Sequence, residues 1–146
     1  MLDPEDIEAY KKAAELGIRR TVHAGEAGPA AMVWKALSIL GAERIGHGYR
    51  VLEDETIYHH CLEHKVHFEC CPTSSILTGS VFLNEGQVHP IVRFNQDGAS
   101  FSISTDDPTV TNTKLSDEYR LLRQWGLTDE DFKRAASLRE NELGKI

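Results

Sequence analysis

The stretch Ala99-Ser100-Phe101-Ser102-Ile103-Ser104, followed at once by Thr105-Asp106-Asp107-Pro108, decides the fold of this chain. Its first six residues alternate between apolar and small polar side chains, which predicts a β-strand with two different faces. Its last four residues place two carboxylates at the carboxyl end of that strand. A short strand that ends in polar or ionisable residues recurs three times earlier in the chain.

The three earlier strands are predicted over residues 18–23, 44–46 and 66–70. They lead into His23-Ala24-Gly25-Glu26, Gly46-His47-Gly48-Tyr49 and Cys70-Cys71-Pro72-Thr73-Ser74-Ser75, respectively. Apolar residues at helical spacing predict helices between the strands, most clearly over residues 29–40. The segment 73–87 is rich in Ser, Thr and Gly and is interpreted as a long loop with room for one short helical turn.

Strands that alternate with helices favour a parallel sheet with right-handed crossovers. The predicted strands start about 20 to 35 residues apart, which is the size of one strand–helix unit in a (β/α)8 barrel. We therefore predict half of a (β/α)8 TIM-type barrel, with four parallel strands and helices on the outside. Residues 1–146 are interpreted as one incomplete domain. Such an open sheet is expected to expose two edge strands and an apolar face.

The carboxyl ends of parallel barrel strands meet on one face, where such enzymes build their active sites. We therefore predict that His23, Glu26, His47, Asp106 and Asp107 gather in one cleft, although they are far apart in sequence. Neutral imidazoles and carboxylates are the groups that bind a catalytic zinc or a related divalent metal.

Four of these strings together resemble the adenosine deaminase family: His23-Ala24-Gly25-Glu26, Gly46-His47-Gly48-Tyr49, Pro72-Thr73-Ser74-Ser75 and Ser104-Thr105-Asp106-Asp107-Pro108. They stand in the order and at the spacings of that family. The resemblance implies zinc-dependent hydrolysis of the 6-amino group of adenosine or 2′-deoxyadenosine, which gives inosine or 2′-deoxyinosine and ammonia.

The resemblance also implies a role for each matching residue. His23 and Asp106 match zinc ligands, and Glu26 matches the acid that protonates the purine nitrogen beside the attacked carbon. His47 matches the group that orients and deprotonates the zinc-bound water, and Asp107 matches a hydrogen-bond partner of the five-membered ring. The implied zinc would supply a strong nucleophile, because it lowers the pKa of bound water from 15.7 to about 7.

Gly25 is a further candidate substrate-binding residue, because a glycine lets a ligand approach the backbone closely. One part of the family pattern has no match: the His-x-His pair that supplies two more zinc ligands. The seven histidines stand at positions 23, 47, 59, 60, 64, 67 and 89, and none have that spacing. A usual catalytic zinc has at least three protein ligands. We therefore expect this chain alone to be inactive, and to need either an N-terminal segment or a second copy.

Two other functions stay open: a related deaminase that acts on adenine, AMP or a modified adenosine, and a catalytically inactive purine-binding or interaction module. The expected partner is a small purine nucleoside. A net charge of −7 without a basic stripe argues against nucleic-acid binding. No apolar run approaches the roughly 20 residues of a membrane span. With no signal peptide and three cysteines that form no disulfide framework, we expect a cytoplasmic protein.

Several polar residues outside the predicted site are interpreted without a functional role. His60 and His64 lie four residues apart on a predicted helix and could bind a metal, but the intervening residues lack the Glu of His-Glu-x-x-His. A solvated helix face is favoured for this pair, and the same interpretation is given to His67 and His89. Ser74 and Ser75 could contact a ligand, but a loop-capping role is favoured for both.

Overall fold

The computed structural model describes residues 2–143, which form a four-stranded sheet with α-helices between and after its strands. The strands are β1 (Thr21–Ala24), β2 (Arg44–His47), β3 (His67–Cys70) and β4 (Ser100–Ile103). The helices are α1 (Pro4–Glu15), α2 (Ala30–Ser38), α3 (Glu55–Glu63), α4 (Pro72–Leu77), α5 (Pro90–Gln96), α6 (Pro108–Thr111), α7 (Leu115–Gln124) and α8 (Asp129–Leu143). A 3₁₀ turn over Tyr49–Glu53 joins β2 to α3.

The four strands are parallel and lie in chain order, β1-β2-β3-β4. Val22 lies opposite Ile45, Ile45 opposite Phe68, and Phe68 opposite Phe101, so the apolar positions of neighbouring strands are in register. This arrangement confirms the predicted fold class of parallel strands with intervening helices.

One face of the sheet forms the core. Side chains of a strand point alternately to its two faces, and Ile45, Phe68 and Phe101 share the face that is completely buried. They belong to one apolar cluster with side chains from α2, α3, α5, α7 and α8. Burial of each such side chain contributes about 1.5–3 kcal/mol, so this face fixes how the helices pack on the sheet.

The opposite face is polar, and the expectation of an exposed apolar face is therefore wrong. Five residues at the alternate positions of the strands are exposed or half-buried: Thr21, His23, Arg44, Glu69 and Ser100. His67 and Ser102 lie on the same face and are buried. Nη2 of Arg44 lies 3.6 Å from Oε2 of Glu69 on the next strand. The helices pack on the apolar side, so the uncovered side consists of groups that water can solvate.

Two short helices follow β3 and β4: the first lies at the start of the predicted loop, which left room for one helical turn, and the second lies where no element was predicted. Helix α4 begins at Pro72 and α6 begins at Pro108, so both start with a proline in the first turn. Proline suits that position because its fixed φ is helical and its missing N–H would have no partner there. Both helices directly follow the carboxyl end of a strand.

His67 and His89 are buried, and the prediction of a solvated surface is wrong for both. Each is only 1% exposed. The ring nitrogens of His67 lie 3.0 Å from the hydroxyls of Ser100 and Ser102 on β4, and Nε2 of His89 lies 2.8 Å from Oγ of Ser75. Hydroxyl groups from other elements satisfy both buried imidazoles, and periodicity along one segment cannot reveal such partners.

The burial of His89 predicts a pH-dependent stability. Burial lowers the pKa of His89 to about 3, whereas an unfolded histidine titrates near 6.5. Between these values the unfolded chain binds a proton that the folded chain does not. The free energy of unfolding should therefore fall as the pH falls, by up to about 1.4 kcal/mol per pH unit from this side chain.

We expect His89→Gln to show a shallower loss of stability than the parent between pH 7 and pH 4.5, measured by urea unfolding. The exposed His59, changed to Gln, is the matched control and should leave the pH dependence unchanged. Equal pH dependence in His89→Gln and the parent would contradict this account.

No helix within residues 2–143 combines the length and the apolar composition that a membrane span requires.

Candidate active site

The carboxyl ends of β1, β2 and β4 bring four of the predicted site residues together. Nε2 of His47 lies 3.6 Å from Oε2 of Glu26 and 3.9 Å from Oδ2 of Asp106. The ring centroids of His23 and His47 are 5.1 Å apart, with the rings edge to face. His47 is therefore the central residue of the cluster, with its imidazole between two carboxylates and beside a second imidazole.

His47 and Asp106 both have left-handed backbone conformations, with φ values of 62° and 61°. Non-glycine residues occupy this region rarely and at a cost, and such residues concentrate at functional sites. His47 is the last residue of β2, and Asp106 lies three residues beyond the end of β4, so the conformation turns the chain out of the sheet at both places. The turn places both side chains at the shared rim.

Gly46 makes room for the ring of His23. A Cβ at position 46 would lie 2.1 Å from Cδ2 of His23, which is far inside van der Waals contact. His23 and Gly46 are direct partners across the β1–β2 pair. Because Gly46 has no side chain, the imidazole of His23 has room beside β2.

Gly25 is required by packing. It has a φ of +68°, and a Cβ there would lie 2.7 Å from Cγ2 of Val33 and 3.3 Å from the backbone of Gly48. These contacts bring the loop after β1 close to the loop after β2. The substrate-binding role of Gly25 stays a prediction.

Asp107 caps α6. Its Oδ1 accepts hydrogen bonds from the backbone N–H groups of Thr109, at 2.9 Å, and Val110, at 3.3 Å. Its own N–H donates to Oδ1 of Asp106 at 3.0 Å. The cap fixes the turn that carries Asp106, and the substrate contact expected for Asp107 stays a prediction.

The environment of His47 keeps its imidazole neutral. The side chain is buried, and burial is the largest influence and lowers its pKa. Glu26 and Asp106 oppose this effect, while His23 adds to it. Nδ1 of His47 is buried and makes no hydrogen bond to any residue of the described part of the chain. A neutral imidazole at this place can accept a proton.

Ser74 is a site residue that the sequence interpretation missed. Its Oγ donates a hydrogen bond of 2.6 Å to Oδ2 of Asp106, and the side chain is 2% exposed. Ser74 lies in the first turn of α4, which follows β3, so the contact links the loops after two neighbouring strands. The interpretation as a loop cap is wrong. The sequence signal that could have identified Ser74 is its position in the polar segment that directly follows the third predicted strand.

Cys71 also lies beside the cluster. Burial raises the pKa of its thiol to about 12, with further repulsion from Asp106 and Glu69. The thiol is therefore protonated at neutral pH. Its backbone N–H donates to the Tyr49 hydroxyl at 2.6 Å, which ties the end of β3 to the turn after β2.

The cluster offers ligand atoms of the kinds that a divalent transition metal prefers. The candidate ligand atoms of His23, Glu26 and His47 lie within 4.8 Å of one another, and so do those of His47, Cys71 and Asp106. Imidazole nitrogen and carboxylate oxygen are the common protein ligands of zinc. The residues present therefore fit a metal of this class, with His47 shared by the two groups.

A groove of about 730 Å³ opens beside Glu26. Sites for small molecules usually occupy about 300–1,000 Å³, so the groove is large enough for a nucleoside. Its walls come from the loop after β1, the 3₁₀ turn after β2, and the segment after α4. They comprise Glu26, Ala27, Arg50, Glu53, Thr78, Gly79, Ser80, Phe82, Asn84 and Gln87.

The contact between Ser74 and Asp106 leads to a prediction. Removing an outer hydrogen bond to a metal ligand typically weakens metal binding 10–100-fold. We expect Ser74→Ala to weaken zinc affinity by about this factor in the full-length protein, measured by competition with a chromophoric chelator. Ser38→Ala, which removes a hydroxyl bonded to the Trp34 carbonyl on α2, is the matched control. Equal zinc affinity in the two variants would contradict the role given to Ser74.

The parallel strand–helix units, with ionisable side chains at their carboxyl rim, define an α/β protein of the TIM-barrel type. Within that class, the chain belongs to the adenosine deaminase family: the model of that family matches residues 2–139. The family resemblance expected from the four strings is therefore confirmed.

Curated relatives agree with this assignment. Adenosine deaminase of Gallus gallus is 50% identical over 127 residues, which cover 86% of this chain and 35% of the chicken protein. Adenosine deaminase of Rattus norvegicus is 45% identical over 134 residues, which cover 91% of this chain and 38% of the rat protein. The chain thus spans between 35% and 38% of the length of these relatives.

Solved structures give the same fold. Adenine deaminase of Arthrobacter aurescens superposes with a TM-score of 0.82 at 29% identity, over 90% of this chain and 40% of that chain. An amidohydrolase of Burkholderia ambifaria with bound Zn has a TM-score of 0.78 at 30% identity, over 88% and 36%. The N6-mAMP deaminase of Arabidopsis has a TM-score of 0.77 at 26% identity, over 90% and 38%.

Proposed function

We propose that the protein is a hydrolytic deaminase that converts adenosine or 2′-deoxyadenosine to inosine or 2′-deoxyinosine and ammonia. The observation that carries this proposal is the position of the buried His47 imidazole, 3.6 Å from Glu26 and 3.9 Å from Asp106 at the carboxyl rim of the sheet. The adenosine deaminases of chicken and rat are among the similar proteins, and they support adenosine as the substrate.

We propose zinc as the metal, with His23 and Asp106 as two of its ligands. The bound zinc of the Burkholderia ambifaria relative supports this choice. When bound, the metal supplies a water molecule whose pKa is lowered to about 7. Because two ligands are fewer than the three or more of a catalytic zinc site, we propose that further ligands come from outside this chain.

Glu26 is proposed to donate a proton to the purine ring nitrogen beside the carbon that is attacked. The carboxyl is half-buried and lines both the cluster and the groove, so it can contact a ligand on one side and His47 on the other. A protonated Glu26 relieves the negative charge that develops on the ring. A positioned general acid of this kind typically raises the reaction rate by a factor of about 10²–10⁴.

His47 is proposed to orient the attacking water and to hold its proton at Nε2. Burial keeps the imidazole neutral before the reaction, because it lowers the pKa of His47. Once the imidazole is protonated, Glu26 and Asp106 stabilise its charge, since their carboxylates lie within 4 Å of Nε2. Burial therefore favours the neutral ring before proton transfer, and the two carboxylates favour the protonated ring after it.

The groove favours a nucleoside over a nucleotide. Its lining contains two carboxylates, those of Glu26 and Glu53, and one guanidinium, that of Arg50. Arg50 already donates to Oε1 of Glu53 at 2.7 Å and to the carbonyl of Ala27 at 2.6 Å. A phosphate would thus meet net negative charge in this part of the protein, whereas a neutral sugar would not.

The second candidate function is deamination of adenine, AMP or a modified adenosine. The structural similarity to the adenine deaminase of Arthrobacter aurescens and to the Arabidopsis N6-mAMP deaminase supports it. The third is a purine-binding module without turnover. We also propose that the 146-residue chain alone has little or no activity and works with an N-terminal segment or a second copy in the cytoplasm.

The test uses the full-length protein and this chain alone, assayed on adenosine, 2′-deoxyadenosine, adenine and AMP. Metal content is measured by mass spectrometry, and turnover by the fall in ultraviolet absorbance on deamination. Zinc together with highest kcat/KM on adenosine supports the proposal. Highest kcat/KM on adenine or AMP supports the second candidate, and zinc without turnover supports a binding module. Full activity of this chain alone, with zinc bound, would overturn the need for further ligands.

A further inference from the structure

We propose that His60 and His64 form a second metal site, a bis-imidazole pair for a divalent transition metal such as Cu²⁺, Ni²⁺ or Zn²⁺. The two residues lie one turn apart at the carboxyl end of α3. Side chains four residues apart on a helix are neighbours on the same face. Their rings are stacked with centroids 3.9 Å apart and planes at 26°, so the two imidazoles already share one patch of surface.

The tautomer of His64 is fixed in the form that binds metals. Nδ1 of His64 lies 2.9 Å from the carbonyl oxygen of His60. A carbonyl only accepts hydrogen bonds, so Nδ1 carries the proton and the lone pair of Nε2 points away from the helix backbone. Metal-binding histidines commonly donate their other ring N–H to a backbone carbonyl in this way.

Trp34 holds His60 from the other side. The indole of Trp34 on α2 meets the His60 ring edge to face, with centroids 5.1 Å apart. His60 is half-buried and His64 is exposed, so a hydrated ion can reach the pair from solvent. Because χ2 is a broad torsion for histidine, rotation of the two rings can turn both lone pairs toward one ion, with water at its other positions.

The chemistry of the pair selects the class of ion. Imidazole suits zinc, copper and nickel, and the affinity of such sites is highest for Cu²⁺ among the divalent first-row metals. Magnesium and calcium prefer oxygen ligands, and neither is expected to bind here.

The fluorescence of Trp34 provides the readout for metal binding. Its indole contacts the ring of His60, and a paramagnetic Cu²⁺ ion bound to His60 is expected to quench it. We expect Cu²⁺ to quench Trp34 in the full-length protein, purified without a histidine tag. His60→Ala and His64→Ala should each weaken the apparent Cu²⁺ affinity at least about tenfold. Trp34→Phe should remove the quenching but keep Cu²⁺ binding by calorimetry.

His59→Ala is the matched control. His59 lies on the same helix, its side chain is 68% exposed, and its Nε2 faces Glu55 at 3.9 Å. This variant should bind Cu²⁺ like the parent. Circular dichroism checks that all variants are folded, and His64→Ala, at an exposed position, keeps the test valid if His60→Ala unfolds. Quenching of equal affinity in the parent and in His64→Ala would overturn the proposal, as would quenching that survives in Trp34→Phe.

Discussion

Glu26→Gln is expected to lower kcat for adenosine by about 10²–10⁴ while the bound zinc stays in place. The amide keeps the size of the side chain and a hydrogen-bonding oxygen, but it cannot give up a proton to the purine ring. Because Glu26 is not one of the two proposed zinc ligands, metal content should not change. Steady-state kinetics and metal analysis of the full-length protein measure both quantities.

The matched control for Glu26→Gln is Glu130→Gln. Glu130 is exposed at the start of α8 and pairs with Lys133 on the same helix, so its amide should leave kcat unchanged. If Glu26→Gln instead retains kcat within a factor of about three, the role of general acid proposed for Glu26 is wrong. Loss of zinc together with activity would point to a ligand role for Glu26.

Gly48→Ala is expected to destabilise the fold by roughly 2–5 kcal/mol. Gly48 has a φ of +76°, and a Cβ there would lie 2.3 Å from Cδ1 of Phe68. Phe68 is completely buried and stacks on Phe94, so its ring has no free space to move into. The variant therefore suffers both backbone strain and a clash in the core, which urea unfolding measures directly.

Gly98→Ala separates these two contributions. Gly98 has a φ of +70°, but no atom lies within 4 Å of a Cβ built there. Its substitution should cost only the left-handed backbone strain of about 1–2 kcal/mol. Equal destabilisation by the two alanines would show that the contact with Phe68 contributes nothing.

The fold could be predicted because its signals are local. Alternation in the strand at Ser100–Ile103 and helical periodicity over residues 29–40 each depend on a few neighbouring residues. Parallel order then follows from the alternation of strands and helices. The same reasoning placed His23, Glu26, His47 and Asp106 at one rim, where the structure has them within one cluster.

The features that the sequence could not show depend on contacts between distant segments. The hydrogen bond from Ser74 to Asp106 joins residues 32 positions apart, and the partners of His67 are serines on another strand. No periodicity marks such pairs. The sequence likewise did not show which face of the sheet the helices cover. Arg44 and Glu69 lie on different strands, and their shared polar face becomes visible only once the strands are aligned.

Left-handed backbone at His47 and Asp106 also restricts which amino acids these positions tolerate, whatever the reaction. Branching at Cβ is most costly there, and short polar side chains are the least costly after glycine. The fold therefore tolerates few residue types at either position, namely Gly, Asn, Asp and His. An inactive descendant of this chain would therefore keep a similar choice of residues at these two places, long after its chemistry had been lost.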